Sequence, residues 1–516
     1  MKKRRQKNPL ILGTLLLTAS GIAARVAGFF YRIFLSHKIS TEAMGLYQLV
    51  YPIYGICFSL CCGSIQTAIS RFVAAEHGKK GEGNSRRYLA CGLILALSLS
   101  FAAAAIMYQY APFLALHVLS EPRCENLLRI LSFSVPMSAV HACICGYYYG
   151  RSKAQVPAAA QLIEQCVRIM TVIAVVYMAE SSGKTITAAY AVVGHLAGEA
   201  GALLSSLLAF SFHASKQSRE RGSVQGKVSE PSSYGLLFRN LVLMVLPLTA
   251  NRLVISFLQS AEAIMIPGRL RSFGLSSGDA LSLYGVLTGM SLPFILFPTA
   301  ITNSLSVMLL PHIAEAQSMK AYESINYSSA ISIRYSLYIG ILFAGIFLYF
   351  GPSVGPVIFH NETAGSFLSV LAWLCPFLYV SGTLNSIING LGYAKTTFFH
   401  TAIGLTIRLC FVMFLIPRLG IRAYLYGLLC SELTITLFHL NFLRKKIELP
   451  FSPFYELIRP TLAVFLSIGI TMAHASLPIH EGMPALLDLL VSGILFVVCF
   501  LFFLYVTRHK HSASRL

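Results

Sequence analysis

Long apolar blocks alternate with short polar stretches along the whole chain. Fourteen blocks stand out, at about 10–35, 46–70, 88–109, 127–149, 155–178, 186–212, 236–260, 284–310, 328–350, 365–391, 396–416, 422–443, 456–477 and 485–507. A helix that crosses a bilayer needs about 20 mainly apolar residues. The pattern therefore predicts an all-α integral membrane protein with about 14 transmembrane helices. A second period runs inside the first block. Thr14, Thr18, Gly21, Arg25, Gly28 and Arg32 recur at steps of three and four, so a helix stacks them into one line.

Between blocks, the longest polar stretch is His213 to Ser233, rich in Ser, Gly, Lys and Arg. It reads as a cytoplasmic linker. It divides an N-terminal lobe, 1–212, from a C-terminal lobe, 234–446, with two further spans and a tail in 447–516. The lobes resemble each other. Span 2 carries Leu46-Tyr47, Pro52 and Ala74-Ala75-Glu76, and span 8 carries Leu283-Tyr284, Pro293 and Ile313-Ala314-Glu315. Span 4 has Pro136, Gly146, Gly150 and Lys153, with Arg168 following in span 5. Span 10 has Pro376, Gly390, Gly392 and Lys395, with Arg408 in span 11. Each copy contains six helices, an even number, so both insert the same way. Two parallel six-helix lobes around a central cavity are expected, plus the two C-terminal helices. Prolines 52, 136, 247, 293, 298 and 376 fall within spans, where they bend helices.

Composition supports the membrane assignment: 56% of residues are hydrophobic and 12% charged. The net charge of +20 raises the question of nucleic acid, and its placement answers it. Of the 40 lysines and arginines, 24 fall in the two tails and in loops on the N-terminal side of the bilayer. The positive-inside rule then puts both termini of a multi-pass protein in the cytoplasm, with the basic loops against anionic lipid and no nucleic-acid partner. The N-terminus imitates a secretory signal, but the apolar block resumes past Arg25, so the first helix is expected to be retained. The 12 cysteines lie mostly within spans, form no CxxC, and read as small apolar residues rather than disulfides or metal ligands.

Candidate chemistry lies within the spans. Arginines inside a membrane-length helix are costly unless they meet water or a bound anion. Arg25 is read as lining a cavity. Arg32 either lines it or snorkels to the outer interface. Thr18, Gly21 and Gly28 leave room on the same face, or let helices pack closely. Asn251 and Arg252 of span 7 are expected to face the same cavity. Glu164 and Arg168 have the i,i+4 order that favours an ion pair, either structural or a gate. Glu199 with His195, and Glu432 with His439, are read as proton-binding or packing residues. Asp488 marks an interface, and Tyr147 to Tyr149 an aromatic belt.

The chain holds two aspartates, Asp279 and Asp488, so no acidic metal-binding cluster of the DxD or DDxxD kind exists. No P-loop or HExxH is present. No enzymatic role and no cofactor are expected, and a transporter or a structural membrane protein remains. Guanidinium groups select the cargo class, because arginine matches phosphate oxygens in a two-pronged fashion and keeps its charge.

The residues Arg25-Val26-Ala27-Gly28-Phe29-Phe30-Tyr31-Arg32, then Gly45-Leu46-Tyr47 with Pro52, then Ile69-Ser70-Arg71 and the basic loop to Arg87, carry a resemblance. The chain resembles the multidrug, oligosaccharidyl-lipid and polysaccharide exporter (MOP) superfamily, in the branch of the stage V sporulation protein B and lipid II flippase families. The resemblance implies alternating access and flipping of an undecaprenyl-pyrophosphate-linked saccharide, such as a peptidoglycan precursor, from the inner to the outer leaflet of a bacterial cell membrane. It assigns substrate contact to Arg25 and Arg32, and to Arg252 by lobe equivalence. It also implies a lipid groove made with the last two helices, envelope-synthesis proteins as partners, and a sporulation role. Coupling to Na+, H+ or membrane potential stays open. The rival readings are a cation-coupled multidrug antiporter and a non-transporting scaffold for envelope assembly.

Overall fold

The computed structural model describes residues 9–78, 83–221, 233–449, 452–477 and 483–512. Every regular element among them is helical. Besides a short helical stretch over 111–118, these are in chain order α1 (Pro9–Lys38), α2 (Thr41–Glu76), α3 (Asn84–Gln109), α4 (Cys124–Gly150), α5 (Gln155–Ser181), α6 (Ala188–Arg221), α7 (Tyr234–Ser272), α8 (Ser277–Leu296), α9 (Thr299–Ser318), α10 (Tyr322–Phe359), α11 (Glu362–Gly390), α12 (Ala394–Leu419), α13 (Ile421–Arg444), α14 (Phe454–Ala475) and α15 (Ala485–Thr507). Thirteen helices among the described residues are long and apolar enough to cross a membrane. The 30-residue α1 is about 45 Å long and has the reach to be the fourteenth.

Sequence and helix differ at a few instructive places. α6 does not stop at residue 212 but runs to Arg221, so the start of the expected linker is helical. The rest of that linker, apart from Ser233, lies outside the described residues, as do parts of the basic clusters at the two tails. Span 8 is two helices, α8 and α9. Proline cannot donate a backbone hydrogen bond, and the ladder is interrupted at Phe297-Pro298. Tight turns bridge the gap, with Phe297 N–H donating to Phe294 O and Ile301 N–H to Pro298 O.

Packing divides the chain into two units, Met1–Gly268 and Arg269–Leu516. In the first, α1 lies on α5, α5 on α6, and α4 on both α2 and α3. The α2–α4 contact depends on glycine. A β-carbon on Gly146 would stand 2.6 Å from Gln66 O, and one on Gly150 would stand 2.5 Å from Ser70 O. Nothing larger fits such an approach. In the second unit α11 packs against α9 and α10, α12 against α13, and α14 and α15 against each other and against α10. Gly390 of α11 meets Ile313 and Leu310 O of α9, so glycine permits a close helix contact there too.

The C-terminal pair is tied down by polar contacts as well. Arg334 of α10 donates to Glu456 Oε1 at 3.0 Å, Tyr338 donates to Tyr455 O at 2.9 Å, and Arg459 reaches Thr507 Oγ1 at 2.6 Å.

Candidate functional site

α1 is one unbroken helix, so the threonine, glycine and arginine stripe does lie on one face. The side chain of Thr14 lies outside the described residues. Ser20, Tyr31 and Leu35 are buried, and the arginine stripe runs one position on from this line, about 100° round the helix. It therefore flanks the packed face. Arg25 is exposed, Thr18, Gly21, Gly28 and Arg32 are half-buried, and Arg25 sits near the midpoint of the helix. Among the described residues Arg25 makes no hydrogen bond or ion pair. The space beside Gly21 is open, with nothing within 4 Å of where a β-carbon would stand. Gly28 instead receives Gln165 of α5, whose Nε2 lies 3.3 Å from that position.

A second guanidinium belongs to the same unit. Arg252 stands near the midpoint of the 39-residue α7, and Asn251 beside it is exposed. α2 widens into a π-helical turn over Ser59–Gly63. Such turns leave a notch in the helix surface. Arg252 lies in it: Nη1 is 2.0 Å from the place a β-carbon of Gly63 would take, and Nη2 donates to Thr67 Oγ1 at 3.2 Å. Thr67 in turn donates to Gly63 O at 2.9 Å. The only partner of Arg252 among the described residues is thus a neutral hydroxyl, and its charge is uncompensated.

The acids of this unit are accounted for differently. Glu164 and Arg168 of α5 form the expected i,i+4 pair. The close α5–α6 contact at Gly194 and Gly198 presses Arg168 against α6. Glu199 is buried, and Tyr54 of α2 donates to its Oε1 at 3.3 Å while lying 2.7 Å from Ser138 Oγ of α4. His195 Nε2 stands 3.9 Å from the same carboxylate, and neither ring nitrogen has a hydrogen-bond partner. Tyr51 and Tyr54 set their rings edge-on to His195, and Tyr51 donates to Tyr47 Oη at 2.8 Å. The tyrosines of span 2 were missed by the sequence reading, although positions 47, 51 and 54 share a helix face. So was the buried Glu262 of α7. None of these acids pairs with Arg25 or Arg252.

In the second unit Glu432 accepts from Ser381 at 3.2 Å, and buried His439 lies 5.0 Å from the His400 ring. The sequence was expected to hold no G-x-S-x-G motif, but Gly351-Pro352-Ser353-Val354-Gly355 has that spacing of a hydrolase elbow. It lies inside the continuous α10, however, where Gly351 and Gly355 pack against the backbone of Gly365. The elbow needs a strand-to-helix turn that helix α10 does not provide.

These features define a class, a multi-pass helical membrane protein with unpaired cations at mid-helix. Its fold is shared by membrane transporters. The lipid II flippase MurJ in an inward closed conformation superimposes with a TM-score of 0.73 at 13% identity, over 96% of this chain and 99% of that one. An inward-facing multidrug resistance transporter of the MATE family, MOP superfamily, gives 0.62 at 14% identity over 82% and 94%.

The chain belongs to the polysaccharide biosynthesis protein family, whose model matches residues 10–317. Among its relatives is stage V sporulation protein B of Bacillus subtilis (strain 168), 26% identical over 84% of this chain and 83% of that protein. The lipid II flippase MurJ of Bacillus subtilis (strain 168) is another relative, 22% identical over 78% of this chain and 76% of that protein, and the fold is that of MOP-superfamily transporters.

Proposed function

We propose that this protein is an alternating-access flippase that carries an undecaprenyl-pyrophosphate-linked saccharide from the inner to the outer leaflet of the bacterial cell membrane. One observation carries the reading: Arg25, exposed at mid-helix beside the open space at Gly21, has no counter-charge among the described residues. In hydrocarbon such a group is costly by several kcal/mol. Facing a wet cavity, it becomes an anion site. Arg252, whose partner among the described residues is the neutral Thr67 hydroxyl, is a second phosphate ligand, and Arg32 a third. A diphosphate offers as many oxygens as these forked donors need.

The lipid-flippase reading is favoured over a drug antiporter by the sign of these charges. An exporter of organic cations places carboxylates where its cargo binds. Here Glu164 is engaged by Arg168, and Glu199 is buried behind Tyr54. In this reading 1–212 and 234–446 are the two lobes, 213–233 the cytoplasmic linker, and 447–516 the segment that makes the lipid groove. Both termini are cytoplasmic. Na+, H+ or the membrane potential drives the cycle. The relatedness to stage V sporulation protein B supports a role in spore envelope assembly, alongside envelope-synthesis proteins.

The test is a flipping assay in reconstituted vesicles with several lipid-linked sugars and imposed ion gradients. Arg25→Ala and Arg32→Ala should sharply lower translocation while leaving expression and insertion intact. A drug exporter would depend instead on Glu164, Glu199 or Glu432. A scaffold would tolerate all of these changes.

A further inference from the structure

In the second unit, one turn beyond the break at Phe297-Pro298, Asn303 lies half-buried on α9. Its amide makes no hydrogen bond among the described residues. Opposite it stands Gly382 of α11. A β-carbon there would find Asn303 Oδ1 at 3.9 Å and nothing else within 4 Å, so the gap between the two helices is open. From Gly382 the same face of α11 continues at Asn385, Ser386 and Asn389, at helical spacing. Asn389 Nδ2 donates to Asn385 Oδ1 at 3.2 Å, and Thr397 Oγ1 donates to Asn389 Oδ1 at 2.9 Å. Ser386 turns back on Gly382 O at 3.2 Å.

This chain of bonds has a direction. It occupies the amide oxygens of Asn385 and Asn389 and leaves the NH2 of Asn385, and the whole amide of Asn303, without partners. An amide without a partner is costly when it is sealed away from polar groups, so beside this open gap it meets water or a polar ligand. The chemistry of the strip excludes the ionic choices. No residue of it is ionisable, so it offers a phosphate no counter-charge. With no carboxylate in it, the strip offers a cation no counter-charge either. Amides that both donate and accept are suited to neutral hydroxyl and acetamido groups.

We infer that Asn303, Asn385 and Asn389, beside the gap at Gly382, form a strip that recognises the saccharide portion of the cargo. This rests on the flippase reading and adds to it: within the second unit, the amides would read the sugar of a lipid-linked cargo.

The experiment measures binding of two probes to the full-length protein in lipid nanodiscs. One is a polyprenyl pyrophosphate; the other is the same lipid carrying an N-acetylhexosamine disaccharide. Asn303→Ala and Asn385→Ala should each weaken the glycosylated probe about fivefold to tenfold, the loss of one or two hydrogen bonds. The bare lipid should bind as before. Gly382→Val removes no side-chain hydrogen bond and fills the gap, so it should act in the same selective way even where an asparagine variant fails to fold. Equal weakening of both probes, or of neither, overturns the saccharide strip. Arg25→Ala is the separate control. Unchanged binding of the bare lipid in that variant sinks the pyrophosphate reading, whatever the asparagine variants do.

Discussion

Arg252 occupies the space that any side chain on Gly63 would need, with Nη1 2.0 Å from the missing β-carbon. The two residues act as one device: a π-helical turn makes the notch, and glycine keeps it empty. Gly63→Ala should therefore lower flipping about tenfold, as much as Arg252→Ala does, on the scale of one lost charge-assisted contact. The double variant should be no worse than either single one. Losses that add would separate the two residues.

Arg25→Lys keeps the charge and gives up the forked donor set. Its flipping rate in vesicles should fall about tenfold, against about a hundredfold for Arg25→Ala. A lysine variant indistinguishable from the native protein would reduce the site to a point charge.

Tyr54→Phe removes the donor to Glu199 and leaves that carboxylate in a buried place with one fewer partner. Stability should drop by about 1 to 2 kcal/mol, read as a lower midpoint of thermal unfolding in detergent. An unchanged midpoint would mean the tyrosine–carboxylate contact contributes nothing.

The Arg334–Glu456 pair is lopsided, because the arginine side chain is 41% exposed and the glutamate 4%. Arg334→Ala strands a buried carboxylate and should cost about 2 kcal/mol. Glu456→Gln leaves the arginine free to reach polar surroundings and should cost less than about 1 kcal/mol. Comparing the two melting curves decides it; a reversed order would contradict the burial argument.

Gly150→Ala sets a methyl group against Ser70 O and the Val73 side chain. The α2–α4 contact must open, at a cost of about 1 to 3 kcal/mol. The yield of monodisperse protein after detergent extraction should fall, and a normal yield would show that the helices have slack.

The spans were legible because lipid imposes one rule on every residue of them. The predicted 10–35 and the observed Pro9–Lys38 agree because arginines 25 and 32 interrupt the apolar run without interrupting the helix. The tail of α6 was not legible: polar residues after 212 end the hydropathy signal while backbone hydrogen bonding continues to Arg221. The division of span 8 was hidden for the opposite reason. Its apolar character runs straight through Phe297-Pro298.

The Glu164–Arg168 pair could be read from spacing alone, being four residues apart on one helix. The contacts of Tyr54 with Ser138 and Glu199 unite three helices, and those of Arg252 with Thr67 join positions 185 apart. No local period encodes either. The proximity of Asn303 to Gly382 is of the same kind.

The interruption at Pro298 also has a mechanical side. α9 holds 20 residues, about 30 Å of helix, beyond a point where the hydrogen-bond ladder is interrupted. Tilting that helix by about 10° would carry its far end roughly 5 Å and load chiefly the tight-turn bonds at Phe297 and Ile301. The pivot lies one turn away from Asn303.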